Sequence, residues 1–133
     1  MNKTILGTGV FFGVTAVLLG AFGAHGLTDL VDAKALDTFG TGIQYQMYHA
    51  FFLMILGSIG LISHKRKKLI YYFIVMGILC FSFSIYLLAT NALTEFDFKR
   101  IALVTPLGGV LLVTGWVLLG IGVLRGNSTV HPT

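Results

Sequence analysis

The chain has 133 residues, of which 56% are hydrophobic and 11% charged, and its 9 Lys/Arg outnumber 5 Asp/Glu to give a formal charge of +4. A water-soluble domain carries about 25% charged residues, so a soluble fold is the first class to fall away. The basic excess then reads as membrane topology and attraction to anionic headgroups, not as a nucleic-acid surface.

Four stretches lack Asp, Glu, Lys and Arg: 4–24, 42–63, 69–93 and 101–124. Each exceeds the roughly 20 residues that a helix rising about 1.5 Å per residue needs to cross about 30 Å of hydrocarbon. Runs this long suit helices better than the alternating segments of roughly 10 residues that build a membrane barrel. The predicted fold is all-α and membrane-integral, a single four-transmembrane-helix bundle over 1–133.

The first run carries Gly9, Gly13, Ala16, Gly20 and Ala24 down one face. Small residues let helix backbones approach where lipid offers no hydrophobic reason to associate, so this face is expected against another helix. A cleaved signal peptide is the competing reading, but the run is longer than a usual apolar core and no A-x-A site follows it. It ends in "GAFGAHGL", 20–27, which places His25 at a helix terminus whose carbonyls favour a cation.

Segment 28–41 has Thr28 as a candidate N-cap, acids in its first turn, and Leu30, Val31, Leu36 and Phe39 at roughly helical spacing. It is expected to be a short amphipathic helix in the first outer loop, with Gly40 and Gly42 turning the corner into helix two. Helix two carries Tyr45, Gln46 and His49, with Gly57 and Gly60 further on. Next comes "HKRKK", 64–68, which the positive-inside rule places in the cytoplasm. Both termini are then cytoplasmic, and Asp29, Asp32, Asp37, Glu95 and Asp97 all fall outside. Helix three bears Cys80, read as packing, and Ser82, Ser84 and Tyr86. Helix four begins with Thr105 and a first-turn Pro106 and contains Gly108, Gly109, Gly115 and Gly120. Tyr71, Tyr72 and Trp116 are assigned to the inner aromatic belt.

This topology gives each polar residue a depth. Helix two, entering at 42, holds Tyr45, Gln46 and His49 roughly 5 to 10 Å below the outer interface. Ser82, Ser84, Tyr86 and Thr105 fall in the same leaflet, and His25 lies at its edge. Polar groups are costly toward lipid, so the eight are expected to face inward. Two arrangements satisfy that demand: a polar pocket open to the outside, or helix-to-helix hydrogen bonds worth about 1 kcal/mol or less each.

The motifs "GAFGAHGL", "YQMYHA" (45–50), "FSFSIY" (81–86) and "TPLGGVLLVTGW" (105–116) resemble, in order and over nearly the whole chain, the domain-of-unknown-function family 423. These are small membrane proteins of the YgdD/YwdK type, to which animal transmembrane protein 256 is similar. One departure is Phe83, where the family pattern is closer to F-S-G-S-L-Y. The resemblance implies a four-helix protein of the bacterial cytoplasmic membrane, multi-pass, and no specific activity. Its recurring polar positions fall on His25, Gln46, His49, Ser82, Ser84, Tyr86 and Thr105.

An enzyme needs a nucleophile, an acid/base pair or a metal. The runs contain no carboxylate, and His25 and His49 with Met47 or Met54 lack metal-ligand spacing. No catalytic residue, cofactor or metal is therefore expected. The favoured class is a non-enzymatic binding or accessory protein, with membrane lipids as partners and either a second copy or a partner membrane protein alongside. Its pocket would take a lipid, a quinone-like molecule or a partner helix. An oligomeric transporter or channel is the alternative. His25 and His49 near one face also suggest a response to pH between about 5 and 8.

Overall fold

The computed structural model describes residues 1–126. Helix α1 spans Lys3–His25, α2 Ala33–Ser58 and α3 His64–Ile78. A π-helical turn, Leu79–Phe83, joins α3 to α4, Ser84–Ala89, so that one rod runs from 64 to 89. Two 3-10 turns, Asn91–Leu93 and Phe98–Ile101, lead into α5, Val104–Arg125. Among the described residues, three helical stretches are long and apolar enough to cross a membrane: Lys3–His25, His64–Ala89 and Phe98–Arg125. The remaining helix, α2, has 26 residues and is the more polar one.

The local chemistry of the ends explains these boundaries. Asn2 caps α1 by accepting the Ile5 N–H at 3.2 Å, and Asp32 caps α2 by accepting the Ala35 N–H at 2.7 Å. At the far end of α1 the Gly26 N–H reaches the Phe22 carbonyl at 2.7 Å, and Thr28 donates its hydroxyl to the Ala24 carbonyl at 2.7 Å. Thr28, two residues past the C-cap Gly26, thus satisfies a last-turn carbonyl of α1, where an N-cap of a following helix was expected. The reason is that Asp32 has the stronger acceptor and stands directly before the helical run.

The separate amphipathic helix is corrected by the same observation. Residues 33–41 are the first turns of α2, and the chain passes Gly40 and Gly42 without a corner. Gly42 is needed for contact, since a Cβ there would stand 2.6 Å from the Tyr86 ring. Nor is 64–68 a connecting loop, for it forms the first turn of α3. Helix two ends at Ser58, five residues short of the charge-free run, because Ile59 turns extended and the chain leaves the helix.

Helix α1 lies antiparallel on α2, with Gly9 against the Ala50 carbonyl and Met54, and Gly23 beneath the Phe39 ring. Its buried face is Ile5, Gly9, Phe12, Ala16 and Gly23. Of the expected small-residue stripe, Gly9 and Ala16 are buried, Gly13 and Gly20 are half-buried, and Ala24 is exposed, with Gly23 packing in its place. Helix α5 docks on the rod from the other side through Gly108, Leu112, Gly115 and Gly122. A Cβ at Gly115 would stand 2.5 Å from Ile74, and at Gly108 one would strike the π-turn backbone at Cys80 and Phe81. Gly120, expected on this face, meets nothing, and Gly122 takes its place.

Charge divides the bundle end from end. Lys3, the 64–68 block and Arg125 mark a basic end, while every Asp and Glu lies toward the other, acidic end. The main core occupies the middle and basic half around Leu53, Leu56, Ile70, Ile74 and Ile78. A smaller cluster, Leu27, Phe39, Tyr86 and Ala89, closes the acidic end.

Candidate functional site

Gln46 is wholly buried, and each of its three side-chain hydrogen bonds reaches another helix. Its amide nitrogen donates to the Phe12 carbonyl at 2.9 Å and to the Thr15 hydroxyl at 2.8 Å, both on α1. Its amide oxygen accepts the Tyr86 hydroxyl of α4 at 2.7 Å. One residue of α2 thereby ties three helices together. Close by, Ser82 donates to the Gly42 carbonyl at 2.8 Å. Ser84 and Thr105 share a bond of 2.6 Å that joins α4 to α5.

The π turn makes this division of labour workable. Its wider winding interrupts the regular register, and the "FSFS" segment supplies one serine to α2 and another to α5. Phe83 points outward and is 40% exposed. The close backbone approach in this region is provided from the opposite helix, by Gly108. Among the described residues, no buried side-chain nitrogen or oxygen lacks a partner.

His49 has a different setting. Its Nδ1 lies 2.7 Å from the Tyr45 carbonyl, and its Nε2 lies 3.1 Å from Trp116 Nε1 on α5. An indole N–H can only donate, so Nε2 must accept and the proton belongs on Nδ1, where it meets a carbonyl. The pair therefore fixes the neutral Nδ1–H tautomer. Phe52 packs edge-on against Trp116 at 4.6 Å between ring centroids.

Above this pair lies a groove of about 570 Å³ between α2 and α5. His49 and Phe52, 5% and 3% exposed, are its floor, and Tyr45, Tyr48, Phe51 and Trp116, all at least 40% exposed, are its rims. The arrangement is apolar and aromatic, with one hydrogen-bonding pair at the base. Ile55 and Leu119 complete its lining, which holds no carboxylate.

The eight sequence-selected residues therefore divide into groups. Gln46, Ser82, Ser84, Tyr86 and Thr105 bond helix to helix. Tyr45 and His49 line the groove. His25 is exposed at the end of α1. Since Gly13 packs level with Ala50, His25 sits about 18 Å along the helix from His49. The two histidines do not meet, so a site shared between them has no basis here. Among the described residues, no group of three or more His, Cys, Asp or Glu side chains gathers at one point.

Trp116 is the residue that sequence reasoning missed, having been placed in an interfacial belt. Counting from the observed helix ends, His49 and Trp116 each lie about 13 Å from the basic end of their own helix. A lone indole that deep in an apolar helix requires an acceptor, and that was the available signal.

The family model described as "Protein of unknown function (DUF423)" matches residues 19–109. The chain belongs to the DUF423 family. A membrane protein of Haemophilus influenzae named UPF0382 is 38% identical over 116 residues, covering 87% of this chain and 90% of its own. The UPF0382 inner membrane protein YgdD of Escherichia coli is 37% identical over 117 residues, covering 85% and 83%. YwdK of Bacillus subtilis is 32% identical over 130 residues, covering 92% and 98%. No solved structure matches the chain. This DUF423 chain is accordingly an all-helical membrane protein of a family without assigned function. The family model takes in His49 and stops short of Trp116.

Proposed function

We propose that this DUF423 protein is a non-enzymatic binding or accessory protein of the bacterial cytoplasmic membrane. It crosses the bilayer four times with both termini inside, and it receives a lipid-soluble molecule carrying a flat, quinone-like ring in the lateral groove between α2 and α5. The single observation behind this reading is the groove itself: aromatic walls around a buried His49 that accepts the Trp116 indole N–H. Tyr45, Tyr48, Phe51 and Trp116 offer faces for a ring, and the indole N–H can turn from His49 to a ligand carbonyl.

Four spans are supported by the position of α2. Antiparallel to α1 and packed on the rod, it is 26 residues long and buries Gln46 and His49 away from its exposed apolar side. The basic end then faces the cytoplasm by the positive-inside rule. The inner-membrane location is carried over from the name of the E. coli relative.

A photocrosslinking amino acid at Phe51, with a second at Phe11 on the exposed face of α1 as reference, tests the reading in cells. Position 51 is expected to yield one dominant small-molecule adduct by mass spectrometry, whereas position 11 yields the bulk phospholipids. The same phospholipid mixture at both positions would refute it.

A further inference from the structure

The basic block 64–68 does not act as a unit. Lys67 is buried, and its ammonium donates to the Ile59 carbonyl, pinning the connection between α2 and α3. Arg66 is half-buried, with its stem beside Gly122 of α5, while Lys65 and Lys68 are exposed. Arg66, Lys65 and Lys68 line a groove of about 480 Å³ together with Ser63, Leu69 and Tyr72. Lys68 and Tyr72 also border a second hollow of about 200 Å³, closed from the other side by Asn2, the N-cap of α1, with Thr4 and Ile5.

Among the described residues, no acidic side chain answers these cations. Asp29, Asp32, Asp37, Glu95 and Asp97 all lie toward the opposite end. The groove also has a direction along the helix. Its cations occupy the first turn of α3, and Leu69 and Tyr72, 49% and 53% exposed, follow immediately toward the middle of the rod. A bilayer presents the complementary order: phosphate first, then ester groups and acyl chain.

We infer that this basic groove holds the headgroup of an anionic phospholipid, with Lys65, Arg66 and Lys68 on the phosphate and Leu69 and Tyr72 against the ester and upper acyl region. The site lies at the end of the bundle, apart from the lateral groove, and stands or falls independently of it.

Native mass spectrometry of the full chain, in detergent with equal amounts of phosphatidylglycerol and phosphatidylcholine, tests the inference. Wild type should retain phosphatidylglycerol preferentially, and K65Q/K68Q should weaken that retention roughly fivefold per cation removed. The charge-matched variant K3Q/R125Q removes two cations from the same end but none from the groove, and should keep the wild-type preference. Equal losses in both variants would overturn the proposal, because charge alone would then explain binding. So would full displacement of the lipid by millimolar inorganic phosphate, which would make this a site for the free anion. Both lysines are exposed, so the variants retain the core.

Discussion

Gln46 and His49 are both buried polar residues of α2, yet they are held in opposite ways. Gln46 makes three side-chain hydrogen bonds, all to neighbouring helices, and Tyr86→Phe should remove one of them without creating a cavity. Interhelical hydrogen bonds in membranes average about 0.6 kcal/mol and reach about 1.7. Tyr86→Phe is therefore expected to lower stability by about 1 kcal/mol in an unfolding titration in mixed micelles. For His49 and Trp116, a double-mutant cycle with His49→Ala and Trp116→Phe should give a coupling of about 0.6 kcal/mol, and a coupling of zero would mean that the bond does not form. The residue types of this network were readable from the sequence, because a polar side chain in hydrocarbon must find a partner. The partners were not readable, because they depend on how each helix is rotated. The bounds of the helix that carries His49 differ from the charge-free run for a related reason: such runs report where charges lie, and α2 continues past Lys34 and Asp37 to Ala33 while stopping at Ser58.

The same contrast between pattern and contact governs the helices. The small-residue stripe of α1 and the glycines of α5 marked packing faces, but sequence spacing did not separate Gly122, which packs, from Gly120, which meets nothing. This distinction makes a quantitative prediction. Gly42→Ala and Gly108→Ala force a methyl into the Tyr86 ring and the π-turn backbone, respectively, and each should cost about 1–3 kcal/mol. Gly7→Ala and Gly120→Ala enter open space and should be neutral, or stabilising by up to about 1 kcal/mol through helix propensity. Thermal denaturation of the four purified variants would check the split, and equal effects would contradict the packing described. The amphipathic character of 28–41 was legible too, but not its continuity with α2, because glycine at 40 and 42 serves a turn and a close contact equally well. Here the contact with Tyr86 decides.

Across the whole molecule, the charge asymmetry is the feature most faithfully written in the sequence, and the groove is the least. Basic and acidic ends follow directly from counting, and they predict that single cysteines at Leu61 and Asn91, in a Cys80→Ala background, are labelled from opposite sides of the membrane, position 61 from the cytoplasm. Labelling of both from one side would remove α2 as a span. The groove, by contrast, arises from the gap left where α2 and α5 each pack on the rod, an outcome of three-dimensional packing that no single helix encodes. Its rim carries the chain's one tryptophan, which makes direct observation simple. In vesicles containing a benzoquinone with a short alkyl tail at rising mole fraction, Trp116 emission is expected to fall along a saturating curve, and to lose that saturation in Phe51→Ala. Quenching that instead rises linearly with quinone, matching that of a simple indole dissolved in the same membrane, would contradict a binding groove at His49 and Trp116.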